Sequence, residues 1–410
     1  MTKLLSKNIL IYGGTNALKS LIPLLMLPIL TTYLSLSDFG TLSLVETTII
    51  FVTPFVLLNI NGAINVQFFK VKHNILKEYI TNALLLSLIS SLIVLSIFLL
   101  FQKNLSLFLK IDETILIWIV IFATLRIITS VVLGLYQSRQ EPFKFALYTT
   151  SQTIVDFTLS CMLVIIYQNG YIGRLEGMYI SFFIFSIIGV YVLYRMDYLT
   201  KPTFKYTKDI LNFGVPLIPH AIGGTIIAMS DRYFISYFAG DEEVGLYTIA
   251  YQLSAVMLLV SISTNQAWSP MLFKLLKDAK RKTIYEFTFA LFILFTLVGV
   301  FTYIAKDLLF YILVNDKFYK AKEYFSWLLI GFVFQSFYLL VTNFLFYKKK
   351  TKMLAMITVF GGVLNLLLNY YLIHLFGVIG VTYATATTWL IYFILVCVAV
   401  LTVYKNKGAS

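Results

Sequence analysis

Residues 209–253 read DILNFGVPLIPHAIGGTIIAMSDRYFISYFAGDEEVGLYTIAYQL, and this stretch decides the fold. An apolar segment broken by Pro216 and Pro219 carries an embedded Asp231-Arg232 pair, leaves through an acidic turn, and restarts at Val244-Gly245-Leu246-Tyr247. The chain opens on the same plan. Residues 10–49, LIYGGTNALKSLIPLLMLPILTTYLSLSDFGTLSLVETTI, place Gly13 opposite Gly214, Pro23 and Pro28 inside a helix, and an acid-containing turn ending at Phe39-Gly40. Gly13 and Gly40 are 27 residues apart and Gly214 and Gly245 are 31 apart, so the two stretches match with a small slip. A chain that restarts halfway is built from two equivalent halves.

Composition sets the environment. A mean hydropathy of +0.86, with 59% hydrophobic and 12% charged residues, lies far outside the range of a soluble domain. A hydrocarbon core of ~30 Å needs roughly 20 helical residues, and twelve runs reach about that length. They lie near 9–34, 41–68, 80–101, 114–136, 144–166, 172–194, 210–238, 244–269, 284–305, 324–347, 353–375 and 379–403. The first run carries Lys19 and two prolines and lacks a small-residue cleavage site, so it is expected to be a retained span. Cys161 and Cys397 both fall inside spans, which argues against a disulfide framework or a zinc site. The expected fold is an all-α integral membrane protein of twelve transmembrane helices.

The net charge of +13 invites a nucleic-acid reading, but its distribution excludes one. With twelve alternating spans and a cytoplasmic N-terminus, the tails and even-numbered connections hold 22 of the 32 Lys and Arg, with six acids. The opposite side holds seven basic and ten acidic residues, counting with it Arg174 and Glu176 at the outward end of the sixth span. This is the positive-inside bias, and it places both termini in the cytoplasm. No connection exceeds about twenty residues, too few for a soluble catalytic domain. The longest, KDLLFYILVNDKFYKAKE at 306–323, is expected to hold an interfacial helix, and LSLFLKIDET at 105–114 is its counterpart in the first half. Each half has six spans, so both enter the membrane from the same side. Residues 1–200 and 201–410 are then two six-helix bundles related by a parallel pseudo-two-fold axis along the membrane normal.

An ionisable side chain in lipid is costly and by default faces water or a partner. Six are embedded by this count: Lys19, Glu46, Arg126, Asp156, Asp231 and Arg232. Lys19, Arg126 and Asp156 lie deepest; Glu46 and the Asp231-Arg232 pair sit nearer the outer surface, where an interfacial ion pair is an equal alternative. Polar stripes at helical spacing accompany them. Tyr12, Asn16 and Lys19 share a face of the first span, Asn61 and Asn65 of the second, and Gln152, Asp156 and Ser160 of the fifth. The eighth carries Tyr247, Tyr251, Ser254, Ser261, Asn265 and Trp268. One such stripe reads as glue between helices; several together, two with a cation, read as a lined cavity. The first and seventh spans each carry a proline pair, and interrupted helices at corresponding positions point to a transport site.

No catalytic constellation survives, and the chain reads as a non-enzyme. His73, His220 and His374 have no metal-ligand spacing, and no phosphate-cradling Gly-Lys-Ser loop is present. His220, on the broken seventh span, is a candidate proton-linked group.

Asp231-Arg232-Tyr233-Phe234-Ile235 followed by Val244-Gly245-Leu246-Tyr247 resembles the seventh-to-eighth-helix signature of the polysaccharide flippases. So do Leu36-Ser37-Asp38-Phe39-Gly40 and GVIGVTYATA at 377–386. These are the Wzx-type O-antigen and capsule transporters of the multidrug/oligosaccharidyl-lipid/polysaccharide (MOP, MATE-like) superfamily, and the similarity covers essentially the whole chain. The resemblance implies a V-shaped, cationic central cavity in the bacterial inner membrane. It also implies flipping of an undecaprenyl-pyrophosphate-linked oligosaccharide for O-antigen or other surface polysaccharide, with ion coupling. No cofactor is expected beyond a proton or sodium gradient. The expected partners are the lipid-linked oligosaccharide and the bilayer, no nucleic acid, and the polysaccharide polymerase machinery; the expected state is a monomer.

On this reading Lys19 and Arg126 hold the diphosphate, Arg232 is a further substrate-binding candidate, and Asn16, Asn61 and Asn265 meet sugar hydroxyls. Tyr247, Tyr251 and Trp268 offer faces to sugar rings, and Asp156, Glu46, Asp231 and His220 are the ion-coupling candidates. Two deep cations and one deep carboxylate suit a pyrophosphate in low dielectric. Two alternatives stay open: a MATE-like cation-coupled multidrug exporter, and a membrane polysaccharide polymerase or ligase, which the short outward connections disfavour.

Overall fold

The computed structural model describes residues 2–405, with the side chains of residues 1–10, 12, 16, 17, 20, 220, 351 and 405–410 outside the described set. The described residues are helical, with no strand among them. The first six spans are Thr2–Tyr33; Leu36–Leu57 continued by Ile60–Phe68; His73–Leu100; Glu113–Ser138; Pro142–Cys161 with a π-helical turn to Ile166; and Gly170–Arg195. The seventh runs in pieces from Thr207–Gly214 through Val215–Leu217 and Ile218–Met229 to Asp231–Ala239. Asp241–Ser254 with Val256–Lys277, Arg281–Ile304, Lys322–Tyr347, Thr351–Phe376 and Val378–Lys405 complete the twelve. Among the described residues eleven helices are long and apolar enough to cross a membrane, and the first span adds the apolar stretch Leu21–Tyr33. The twelve-helix membrane reading therefore holds.

Local chemistry explains the boundaries. Ser35 starts the second span with a capping box: Asp38 N donates to Ser35 Oγ at 3.0 Å, and Ser35 N donates to Asp38 Oδ2 at 3.2 Å. Asp112 caps the fourth by accepting from Thr114 N at 2.8 Å. The fifth and sixth spans turn at Gly170 (φ 56°), and the eleventh and twelfth at Gly377 (φ 67°), left-handed positions that glycine takes at little cost. Eight-residue helices follow the third and ninth spans, Gln102–Leu109 and Lys306–Leu313, with Leu107, Phe108, Leu308, Tyr311 and Ile312 exposed as interfacial helices require. The repeat is thus legible in the elements themselves.

The prolines act differently from the expectation. Pro23 and Pro28 lie within an unbroken first helix. The break falls instead in the second span, four residues after Pro54, where Leu58 (φ 48°) and Asn59 (φ 50°) are both left-handed. The seventh span is interrupted as expected, by the 3-10 turn Val215–Leu217 around Pro216. The two breaks touch: Asn59 Nδ2 donates to Gly214 O at 3.2 Å, and a Cβ on Gly214 would stand 1.9 Å from Leu58 O. Only glycine admits that approach.

The chain groups into two units, Met1–Ile22 with Tyr33–Thr225 and Pro23–Thr32 with Ile226–Ser410. In the first, the fourth span packs on the second and sixth, and the fifth on the sixth. In the second, the tenth and eleventh spans pack on the twelfth around Val341, Leu345, Trp389, Tyr392 and Val396. Apolar contact gains little over lipid, so small and polar residues join the helices. Ser181 donates to Gln152 O at 3.0 Å, Ser254 to Phe325 O at 3.1 Å, and Ser261 bonds Ser336. The polar stripe of the eighth span therefore faces the tenth span, and much of it is packing.

Candidate functional site: three charged clusters in the bundles

The first cluster is cationic. Lys19 on the first span presents accessible surface and Arg126 on the fourth is half-buried, close enough that the two charges repel. Arg126 Nη1 reaches Thr53 Oγ1 only at the 3.5 Å limit. Among the described residues neither cation has a carboxylate within salt-bridge distance. Asp156 does not pair with Arg126.

Asp156 pairs elsewhere. Arg174, on the sixth span, places Nη1 2.5 Å from Asp156 Oδ1 and 2.7 Å from Ser160 Oγ. Both side chains are largely buried, 12% exposed for Arg174 and 16% for Asp156. Glu46 on the second span is half-buried and interacts electrostatically with Arg174 and Tyr179. Arg174 was missed because its place near the start of a span assigned it to the outward connection.

The third cluster surrounds Asp231 and buries it among neighbouring helices. Asp231 is 1% exposed and Arg232 is 4% exposed. The carboxylate accepts from Tyr247 Oη at 2.5 Å and Thr385 Oγ1 at 2.8 Å on Oδ2, and from Asn369 Nδ2 at 2.6 Å on Oδ1. Asn369 also donates to Asn365 Oδ1 at 3.1 Å, and Ser230 Oγ donates to the same oxygen at 3.2 Å. Asn369 Oδ1 is buried with no hydrogen-bond partner, an orphaned acceptor beside a buried carboxylate. The Arg232 guanidinium lies 4.7 Å from the centre of the Tyr251 ring. Asn365 and Asn369, at i and i+4 on the eleventh span, are the polar signal that sequence reading left unused.

The sugar-contacting candidates fare unevenly. Tyr247, fully buried, and Trp268, 3% exposed, offer no face to a sugar ring in this conformation; Tyr247 serves Asp231 instead. Tyr251 is half-buried between Arg232 and the edge of Phe332. Asn61 donates to Ser130 Oγ on the fourth span, and Asn265 Oδ1 accepts from Asn343 Nδ2 at 2.6 Å on the tenth. Both join helices. The side chains of Asn16 and His220 lie outside the described residues.

Eleven helices long and apolar enough to cross a membrane among the described residues, joined by the apolar stretch of the first span, with charges buried inside the bundles, define a multi-pass membrane protein. The chain belongs to the family described as Polysaccharide biosynthesis protein, which matches residues 5–276. The MatE family matches residues 216–371. The Lsg locus putative protein 1 of Haemophilus influenzae is 25% identical over 87% of this chain and 88% of its own length. The Probable low-salt glycan biosynthesis flippase Agl15 of Haloferax volcanii is 24% identical over 47% of this chain and 41% of its own. Among solved structures, an inward-facing multidrug resistance MATE family transporter of the MOP superfamily superimposes with a TM-score of 0.78 at 14% identity, covering 94% of this chain and 96% of its own. The lipid II flippase MurJ, in its inward closed conformation, gives 0.76 at 13% identity, covering 95% and 87%. The resemblance to MOP-superfamily polysaccharide flippases is borne out in family and fold.

Proposed function

We propose that this protein flips an oligosaccharide repeat unit, carried on undecaprenyl pyrophosphate, from the cytoplasmic to the outer leaflet for O-antigen or other surface polysaccharide. It works in the bacterial inner membrane with both termini cytoplasmic. The observation that carries this reading is the pair Lys19 and Arg126, two cations with no carboxylate within salt-bridge distance among the described residues. Each costs about 2.5–3.5 kcal/mol at mid-membrane on insertion scales, a cost that needs a compensating anion. A diphosphate supplies one, since an arginine fork binds two of its oxygens and a lysine adds a point charge.

Cation coupling through the Asp231 cluster supports the same reading. One carboxylate with the amide and hydroxyl oxygens of Asn365, Asn369 and Thr385 is an all-oxygen set, suited to a hard monovalent cation or to a proton on Asp231 itself. The MatE match over that region favours a second reading, export of cationic drugs.

The experiment is complementation of cells that lack the protein. Arg126→Ala and Lys19→Ala should leave lipid-linked repeat units on the cytoplasmic face while the protein inserts at normal levels. Arg126→Lys should restore part of the activity. Normal surface polysaccharide from the double alanine variant would refute diphosphate binding by this pair. Sensitivity to cationic dyes with intact polysaccharide in cells lacking the protein would install the drug-export reading.

A further inference from the structure

The eighth and tenth spans run side by side down to the turns that follow them. Asn343 Nδ2 donates to Asn265 Oδ1 at 2.6 Å, and nearer the turns the Phe273 and Tyr347 rings meet with centroids 5.6 Å apart. Both turns close tightly: Lys280 N donates to Leu275 O at 3.1 Å, and Lys350 N to Leu345 O at 3.0 Å. Residues 274–286 and 348–352 hold nine Lys and Arg against two acids, Asp278 and Glu286, so these adjacent turns concentrate positive charge. Glu286 lies 3.9 Å from Lys282, with both side chains exposed. Lys274, Lys277, Lys280 and Arg281 are exposed, with no carboxylate within salt-bridge distance among the described residues. Lys348 lies over the Tyr404 ring at 4.8 Å and over Tyr347 at 5.7 Å.

The first unit handles the same number of cations differently. Its segments 70–79, 137–144 and 195–209 hold nine Lys and Arg with four acids, spread over three connections. Glu141 binds both Arg139 and Lys144, and Asp197 binds Lys77 with His73 beside it. Either arrangement satisfies the positive-inside bias, so topology does not account for the crowding in the second unit. Like charges crowded into two adjacent turns repel, and an anion among them relieves that repulsion.

We propose that the paired turns of the second unit form a binding site for anionic phospholipid headgroups. The site is independent of the cargo reading; only its leaflet, the cytoplasmic one, rests on the proposed topology. The helices that leave these turns point to lipid as the partner. The ninth and eleventh spans expose Phe289, Leu297, Met356 and Phe360. Such faces meet acyl chains, so cations at the ends of the same helices stand at the level of the headgroups. Lysine presents a compact ammonium without a fixed fork, so the site selects negative charge rather than one headgroup. Each lysine near an anionic surface strengthens attachment about fivefold, and salt weakens the effect.

The test counts lipids bound to the purified full-length protein by native mass spectrometry. Phosphatidylglycerol, which is anionic, is titrated beside phosphatidylcholine, which carries no net charge. The wild-type protein should bind phosphatidylglycerol at least about tenfold more tightly, and less so as salt is raised. Lys277→Gln, Lys280→Gln, Lys349→Gln and Lys350→Gln together should remove that preference, and Arg at the same four positions should keep it. Lys70→Gln, Lys72→Gln, Lys201→Gln and Lys208→Gln together, an equal loss of charge in the first unit, should change it less than about threefold. An equal loss in both glutamine variants would reduce the effect to net charge and overturn the proposal. So would a wild-type protein that binds the two lipids alike, a result that needs no variant to fold. Undecaprenyl pyrophosphate is titrated as the competing ligand. Loss of its binding in the second-unit glutamine variant, with phosphatidylglycerol binding unchanged, would make the turns a landing place for cargo and overturn the phospholipid site.

Discussion

Tyr247→Phe keeps an aromatic ring and deletes one oxygen, so it separates the two roles this residue has been given. As a sugar platform, Tyr247 would lose little. As a donor to Asp231 it loses a hydrogen bond of 2.5 Å between two buried groups. A hydrogen bond to a charged group contributes about 1.5–3 kcal/mol, so the ionised carboxylate should be destabilised by that amount against its protonated or cation-filled form, roughly a 10- to 150-fold shift. Thr385 cannot compensate, because it already donates to the same Oδ2 at 2.8 Å. The variant should therefore hold its cation more tightly and release it more slowly.

The assay is a thermal-melting titration of the purified protein with sodium and with pH, beside delivery of repeat units in membrane vesicles. The half-saturating cation concentration should fall by the factor above, with a lower rate of delivery. In an Asp231→Asn background Tyr247→Phe should leave the cation dependence unmoved, since the charge it served is gone. Wild-type sodium and pH dependence in Tyr247→Phe, with delivery lost only in Tyr247→Leu, would refute the reasoning and restore the sugar-platform role.

Single cysteines replacing Asp38, Glu242 or Lys317 should react with an impermeant thiol reagent from outside, and those replacing Lys72, Lys205 or Lys350 should not; labelling at 350 in sealed cells would overturn the topology. Gly214→Ala must move its Cβ away from Leu58 O, 1.9 Å distant, and should reduce folded yield. Overpacking of that kind costs about 1–3 kcal/mol or more, whereas Gly223→Ala, with open space around it, should be near neutral, and equal yields would exclude the clash. The Lys77 ammonium, 2.7 Å from Asp197, holds that carboxyl below its usual range, with His73 adding to the effect. Its stabilisation is present above the unfolded carboxyl value of ~3.9 and is lost as pH falls through the lower folded value; Lys77→Met should remove it at neutral pH and flatten the acid end of the melting profile.

What could be read from the sequence follows from what lipid makes obligatory. Spans, repeat and interfacial helices were legible because hydrocarbon thickness and backbone hydrogen bonding fix length and hydropathy without reference to partners. Partnership itself was not legible. Asp156 could be seen as a costly embedded charge, but choosing Arg174 over Arg126 needed the turn at Gly170 and the close approach at Gly177. The partners of Asp231 were no more legible: polar side chains of the eighth, eleventh and twelfth helices converge on it. The eighth-span stripe fitted a cavity wall and a helix seam equally well, because both require polar residues at steps of three and four. Only the serine and asparagine opposite it, Ser336 and Asn343, decide for the seam.

A chain made of two equivalent halves could carry the same charges in each, and this one does not. Among the described residues the first unit keeps two cations without carboxylate partners, Lys19 and Arg126, together with a carboxylate that already has its own guanidinium. The second keeps a carboxylate whose surroundings on the eleventh and twelfth spans are neutral donors and one unsatisfied oxygen. Every embedded charge must be balanced or relieved, so each unbalanced one marks a place where a mobile ion of opposite sign lowers the free energy. On the proposed reading that ion is an anion in the first unit, whereas in the second Arg232 already acts on the charge of Asp231. On the same reading repetition gives the protein its helical frame, while divergence at a few buried positions separates binding of the anionic cargo from binding of the coupling ion. Exchanging charges between the halves should therefore damage transport more than removing either charge alone.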